Sequence, residues 1–266
     1  MGRILCALVF AFGIGTAISF ADVRDNLRYS ADVSSRFVKM GENDPMQLAF
    51  VGLDLHKIFS STSRDIVTFT LQPYVAFVRN GPGRWDLSPR AHPIFDGSSD
   101  WGMQWRVFNA NIKLMQNGLL NLRLGHIEVP FGIEHIIPTN GTALNYAHQA
   151  NWVGIKADWG ASLNGVWSGY EYEVAALRGS GNRYASKALT GESPFFLSGR
   201  FGSDRSADFV WGLSLLSGTL LTPSDAAVER TRYALDLQYY YGAFGVVGEL
   251  AVGTGFGGPP ANDSDV

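Results

Sequence analysis

The sequence predicts an all-β fold, a transmembrane antiparallel β-barrel of which about 11 strands are present. Three observations carry that expectation. The chain is short of charge, its apolar residues recur with period two, and its links alternate between short and long.

Composition comes first. Of 266 residues only 17% are charged, while 46% are hydrophobic and 13% aromatic. Soluble domains average about 25% charged, so a barrel of this size has too few ionic groups to cover a water-facing exterior. The hydrophobic fraction is ordinary and has no series of long apolar runs, which excludes a helical membrane bundle. The plentiful aromatic and aliphatic side chains exclude disorder. A net charge of −3 gives no electrostatic case for nucleic acid as a partner.

Residues 1–21 (MGRILCALVFAFGIGTAISFA) read as a signal peptide. One early Arg3 precedes an apolar stretch, and Ser19 and Ala21 supply small residues at −3 and −1 before Asp22. Cys6, the one cysteine, lies inside this leader. The mature chain, 22–266, therefore has no thiol for disulfides, zinc or nucleophilic catalysis.

Alternation defines the strands. In 65–78, Val67, Phe69, Leu71, Val75 and Phe77 share one face, and Thr68, Thr70, Gln72 and Tyr74 the other. Similar segments recur at 25–38, 46–58, 102–115, 119–129, 151–167, 170–178, 195–203, 208–219, 230–241 and 243–253. Helical alternatives exist for 102–116 and 226–241, but aromatic content and flanking turns favour strands. Most segments have the length, about ten residues, that a tilted strand needs to cross hydrocarbon.

The links keep a beat. Those at 60–64, 116–118, 168–169, 203–207 and 241–242 are short, with Asn117-Gly118 and Ser168-Gly169 suited to tight hairpins. Those at 79–101, 130–150, 179–194 and 220–229 are long, and only 39–45 is compact among the alternate set. All short turns then lie on one side of the sheet, as in outer-membrane barrels. Aromatics also gather near segment ends, at Trp101, Trp105, Trp152, Trp167, Tyr170, Tyr172 and Tyr239 to Tyr241, as a lipid–water boundary favours.

Within 119–167, LLNLRLGHIEVPFGIEHIIP and NWVGIKADWGASLNG resemble the phosphate-selective porin (O/P type) family of Gram-negative outer membranes. The pattern rests on Leu124-Gly125, Pro130-Phe131-Gly132 with Glu134, and Asn151 to Gly154. The resemblance implies a 16-stranded, trimeric porin in the cell outer membrane, in contact with lipid and passing small solutes or ions by diffusion. It also implies a constriction loop at 130–150, with Glu134 and His135 as its candidate residues. The lysines are few and scattered and 130–150 holds neither Arg nor Lys, so phosphate selectivity is not implied. Such a loop predicts a channel indifferent to anions or mildly cation-selective.

Alternation names the candidate pore lining: Arg123, Lys156, Asp158, Glu171, Glu173, Arg232 and Asp236. A charge facing lipid at mid-bilayer would cost about 2–4 kcal/mol, so these side chains are expected to face water. The signs are mixed, which predicts weak ion selectivity.

No catalytic residue, metal site or cofactor is expected. His126, His135 and His148 have no ligand-like spacing and read as solvated loop residues, and no nucleophile–His–acid order or nucleotide loop stands out. Two other readings stand beside the porin: a substrate-specific channel or barrel enzyme, and a secreted soluble carbohydrate-binding β-protein. Finally, 11 is odd, whereas bacterial single-chain barrels close with an even number. The tail 254–266 reads as a loop, and Val266 is not a terminal aromatic. The expectation is a C-terminally truncated barrel that lacks at least one strand, or about five if the family's 16 applies.

Overall fold

The structure, a computed structural model, describes residues 20–22, 26–38, 46–61, 64–79, 92–93, 101–133, 155, 157–180, 194–221, 227–242 and 244–255. Among these there is no α-helix. The strands are β1 (Phe20–Asp22), β2 (Leu27–Val38), β3 (Met46–Ser60), β4 (Asp65–Arg79), β5 (His92–Pro93), β6 (Trp101–Lys113) and β7 (Asn121–Glu128). They continue as β8 (Ala157–Trp167), β9 (Tyr170–Leu177), β10 (Phe196–Ser203), β11 (Phe209–Leu221), β12 (Ala227–Tyr241) and β13 (Phe244–Thr254).

All belong to one antiparallel sheet in chain order, with β5 paired to β6 beside the main path. Eleven of the strands are long and coincide closely with the eleven expected segments. The differences are local. Of the segment expected over 151–167, Ala157–Trp167 form β8 while 151–154 and 156 lie outside the described residues, and the two-residue β5 lies inside the link expected over 79–101. The short β1, at the end of the expected leader, pairs with β2 through Phe20↔Tyr29. Both stretches with a helical alternative are strands, β6 and β12, each paired on both sides.

Turn chemistry works as the sequence suggests. Asn117 and Gly118 have φ of 59° and 69°, Ser168 and Gly169 of 51° and 82°. These left-handed pairs match the twist of the hairpins they close. Pro73, which has no N–H to give to the ladder, falls where the β4–β6 register shifts between Gln72 and Pro73. The sheet is not closed: among the described residues nothing pairs with the far edge of β13.

The two faces are inverted relative to a water-soluble sheet. Along β10–β12 the buried positions include Ser198, Arg200, Ser214, Arg232, Asp236 and Gln238. The exposed positions between them are Leu197, Phe201, Leu213, Leu215, Tyr233, Leu235 and Leu237. We call these the polar and apolar faces.

The chain after β7 folds over the polar face. The Pro130 carbonyl accepts from Ser198 Oγ on β10 (3.0 Å), the Gly132 N–H donates to Ser214 Oγ on β11 (2.9 Å), and the Ile133 N–H donates to Glu249 Oε2 on β13 (2.8 Å). Val129, Phe131 and Ile155 pack there with Ile127, Leu177, Phe196, Leu216 and Leu220, forming a small apolar core towards the long links. This strap demands curvature. Six strand spacings from β7 to β13 would cover about 29 Å on a flat sheet. Five residues from Glu128 span at most about 18 Å, and the Phe131 N–H turning back to the Val129 carbonyl shortens them. Even a full glutamate side chain does not make up the difference, so the sheet curls around the strap.

Candidate functional site

The polar face is built from ties that skip a strand. Arg200 of β10 reaches Asp236 of β12 with Nε to Oδ2 at 3.0 Å and Nη2 to Oδ1 at 2.7 Å. Between them Gly212 of β11 offers no Cβ, and one there would overlap both charged groups. Arg123 of β7 likewise reaches Glu173 of β9, with Nη1 at 2.9 and 3.1 Å from the two oxygens. Beneath that pair Ser162 of β8 donates to Glu173 Oε1 at 2.6 Å.

The pattern extends to neutral groups. Asn121 Nδ2 donates to Asn164 Oδ1 (3.1 Å), and Asn164 Nδ2 to Asn111 Oδ1 (3.2 Å), an amide ladder over β6–β8. On β2–β4 the Tyr74 hydroxyl lies 3.1 Å from Asp32 Oδ2 and 3.3 Å from Asp54 Oδ1, its ring over Gly52. Side chains on the concave side of a curved sheet converge, which lets groups two strands apart meet. Charge-assisted pairs there are both short and directional.

Of the residues singled out in the sequence, Arg123, Asp158, Glu171, Glu173, Arg232 and Asp236 all stand on the polar face. The expectation that they face water needs correction for four of them. Asp158, Arg232 and Asp236 are fully buried and Glu173 nearly so. For Asp158, Glu173 and Asp236 the reason is local satisfaction: each lies along the wall against its partners instead of projecting from it. Asp158 accepts from the N–H groups of Trp159 and Gly179 and from Ser180 Oγ, which pins the start of the long link after β9. Arg232 Nη1 donates to the Thr231 carbonyl at 2.9 Å. Glu171 is partly exposed and takes Nε of Arg205, in the β10–β11 turn, at 2.8 Å.

Lys156, Glu134 and His135 lie outside the described residues, as does His148. His126 is not a solvated loop residue. It is fully buried in β7, its ring 5.2 Å from that of Trp159. Among the described residues no group of three or more His, Cys, Asp or Glu is arranged to hold a metal.

Sequence reasoning missed Arg200, Arg205 and Glu249. Arg200 was within reach of the period-two rule, since Leu197 and Phe201 flank it on the opposite face. Arg205 sits in a turn, where no periodicity applies. Glu249 matters through the strap, which no local pattern announces.

Towards the short turns the polar face opens into a recess of about 220 Å³ between Arg123, Glu171, Glu173, Arg200 and Arg205, with Asn121 on its border. On the apolar face at the same end, Tyr170 stacks on Phe201 (5.5 Å, 17°) and Trp211 meets Phe201 edge-on at 5.9 Å. Trp167, Tyr239, Tyr241 and Phe244 extend this aromatic band and are exposed.

No protein-family model matches the chain, and no curated protein is significantly similar to it.

Proposed function

We propose that this chain forms the wall of an outer-membrane channel through which small hydrophilic solutes or ions diffuse. The observation that carries this reading is the inverted sheet. Leu213, Leu215, Leu235 and Leu237 are exposed while Arg200, Arg232 and Asp236 between them are buried. An exposed apolar face running over several long strands far exceeds the few hundred Å² that soluble monomers tolerate, and hydrocarbon is the solvent that suits it. The aromatic band at the short-turn end fits the lipid–water boundary.

Barrel closure belongs to the proposal, because free backbone groups at a sheet edge would cost several kcal/mol each in lipid. So do the sixteen-stranded, trimeric architecture and the likeness to phosphate-selective porins, and a signal peptide at 1–21. The strap across the polar face is where a constriction would lie. The reading assigns the chain no catalytic step.

The test is expression of the whole reading frame that contains this chain, residues 1–21 included, in a Gram-negative host, followed by membrane fractionation and planar-bilayer recording. The proposal expects outer-membrane recovery, heat-modifiable migration on gels and stepwise conductance in KCl. Recovery as a soluble periplasmic protein without conductance would overturn it.

A further inference from the structure

We infer that the recess at the short-turn end of the polar face is a binding site for one neutral, polyhydroxylated solute of monosaccharide size. This rests on the channel reading, since it names a solute that meets the recess on its way through.

Three guanidinium groups border the recess, and each gives only part of its donor set to a carboxylate. Arg200 spends Nε and Nη2 on Asp236 and keeps Nη1. Arg123 spends Nη1 on Glu173 and keeps Nε and Nη2. Arg205 spends Nε on Glu171, keeps both Nη groups, and its side chain is 50% exposed. Acceptors line the same recess. Asn121 is only 7% exposed, and its Oδ1 is buried without a hydrogen-bond partner. Glu171 retains lone pairs beyond those that Arg205 uses.

The charge balance selects the ligand class. The three cations are matched by Glu171, Glu173 and Asp236 at 2.7–2.9 Å, which leaves no net charge to hold a bare ion. An anion would be drawn to the spare N–H groups but repelled by Glu171 and Glu173 in the same space. A hydroxyl group accepts from a guanidinium N–H and donates to an amide or carboxylate oxygen at once. It satisfies both sets without breaking a pair. A volume of about 220 Å³ suits one sugar ring.

The experiment uses the purified full chain in detergent and in planar bilayers, with glucose and sodium phosphate as probes. Equilibrium dialysis with labelled glucose is expected to show saturable binding that phosphate does not displace. KCl conductance is expected to fall saturably as glucose is added. Arg205→Gln should raise the half-saturating glucose concentration about tenfold, and Val166→Trp, which fills the recess, should abolish binding while heat-modifiable migration is retained. KCl conductance without saturable glucose binding would overturn the site and leave the channel standing. Glucose binding without conductance would leave the site and overturn the channel. Saturable phosphate binding in place of glucose would overturn the neutral-ligand assignment.

Discussion

Arg200 and Asp236 face one another across an intervening strand, and Gly212 lies beneath their ion pair where any side chain would force them apart. Both groups are buried, with side-chain exposures of 3% and 0%. The tie therefore depends on all three residues together and on the curvature that brings β10 and β12 within reach.

Removing one partner strands the other. Asp236→Ala should destabilise the fold by about 3–5 kcal/mol, because Arg200 is left as a buried, unpaired charge. The double change Arg200→Met with Asp236→Leu should be close to neutral. Gly212→Val should cost about 1–3 kcal/mol by overpacking. Urea midpoints of the chain refolded in lipid vesicles measure all three, and an Asp236→Ala midpoint equal to wild type would contradict the pairing.

Gly132 holds the strap in the left-handed conformation that glycine takes most readily. Its φ is 62°, and a Cβ there would run into the Glu249 carboxylate that accepts the Ile133 N–H. Gly132→Ala should cost about 1–2 kcal/mol for the left-handed backbone alone, and should lift the strap from β13. Single-channel conductance is expected to rise in this variant. Equal conductance would place the strap outside the conducting path.

Paired charges also bear on selectivity. With Arg123, Arg200 and Arg205 each bonded to a carboxylate, these three cations leave no excess charge of either sign on their part of the wall. The reversal potential in a tenfold KCl gradient should lie near zero, or slightly to the cation side. Strong anion preference would contradict this and restore a phosphate-selective channel.

The alternation of links sets an orientation. In the proposed channel, a periplasmic N-terminus would put the short turns in the periplasm and the links at 79–101, 130–150 and 179–194 outside. An impermeant thiol reagent on intact cells should label Asn140→Cys and spare Asn117→Cys. Equal labelling of both would defeat the orientation.

The strands were legible because period-two patterning is local: Val67, Phe69 and Leu71 declare their face within five residues of sequence. The turns were legible for the same reason, as Asn117-Gly118 and Ser168-Gly169 carry their backbone geometry in their composition. What the sequence did not reveal is long-range. The burial of Asp158 and Asp236 follows from partners 21 and 36 residues away, Gly179 and Arg200. The tie from Ile133 to Glu249 spans 116 residues. His126 lies inside the expected segment 119–129, but nothing local announced that its ring would be buried against Trp159, 33 residues away.

The central claim is that the exposed face meets lipid and the buried polar face does not. Spin labels placed singly along β11, at positions 213, 214, 215 and 216 in vesicles, measure this directly. Leu213 and Leu215 are exposed, while Ser214 and Leu216 are buried. Labels at 213 and 215 should collide readily with oxygen and poorly with a water-soluble nickel chelate, and labels at 214 and 216 should show low oxygen access. Uniform access along the strand, or high nickel access at 213 and 215, would contradict the account.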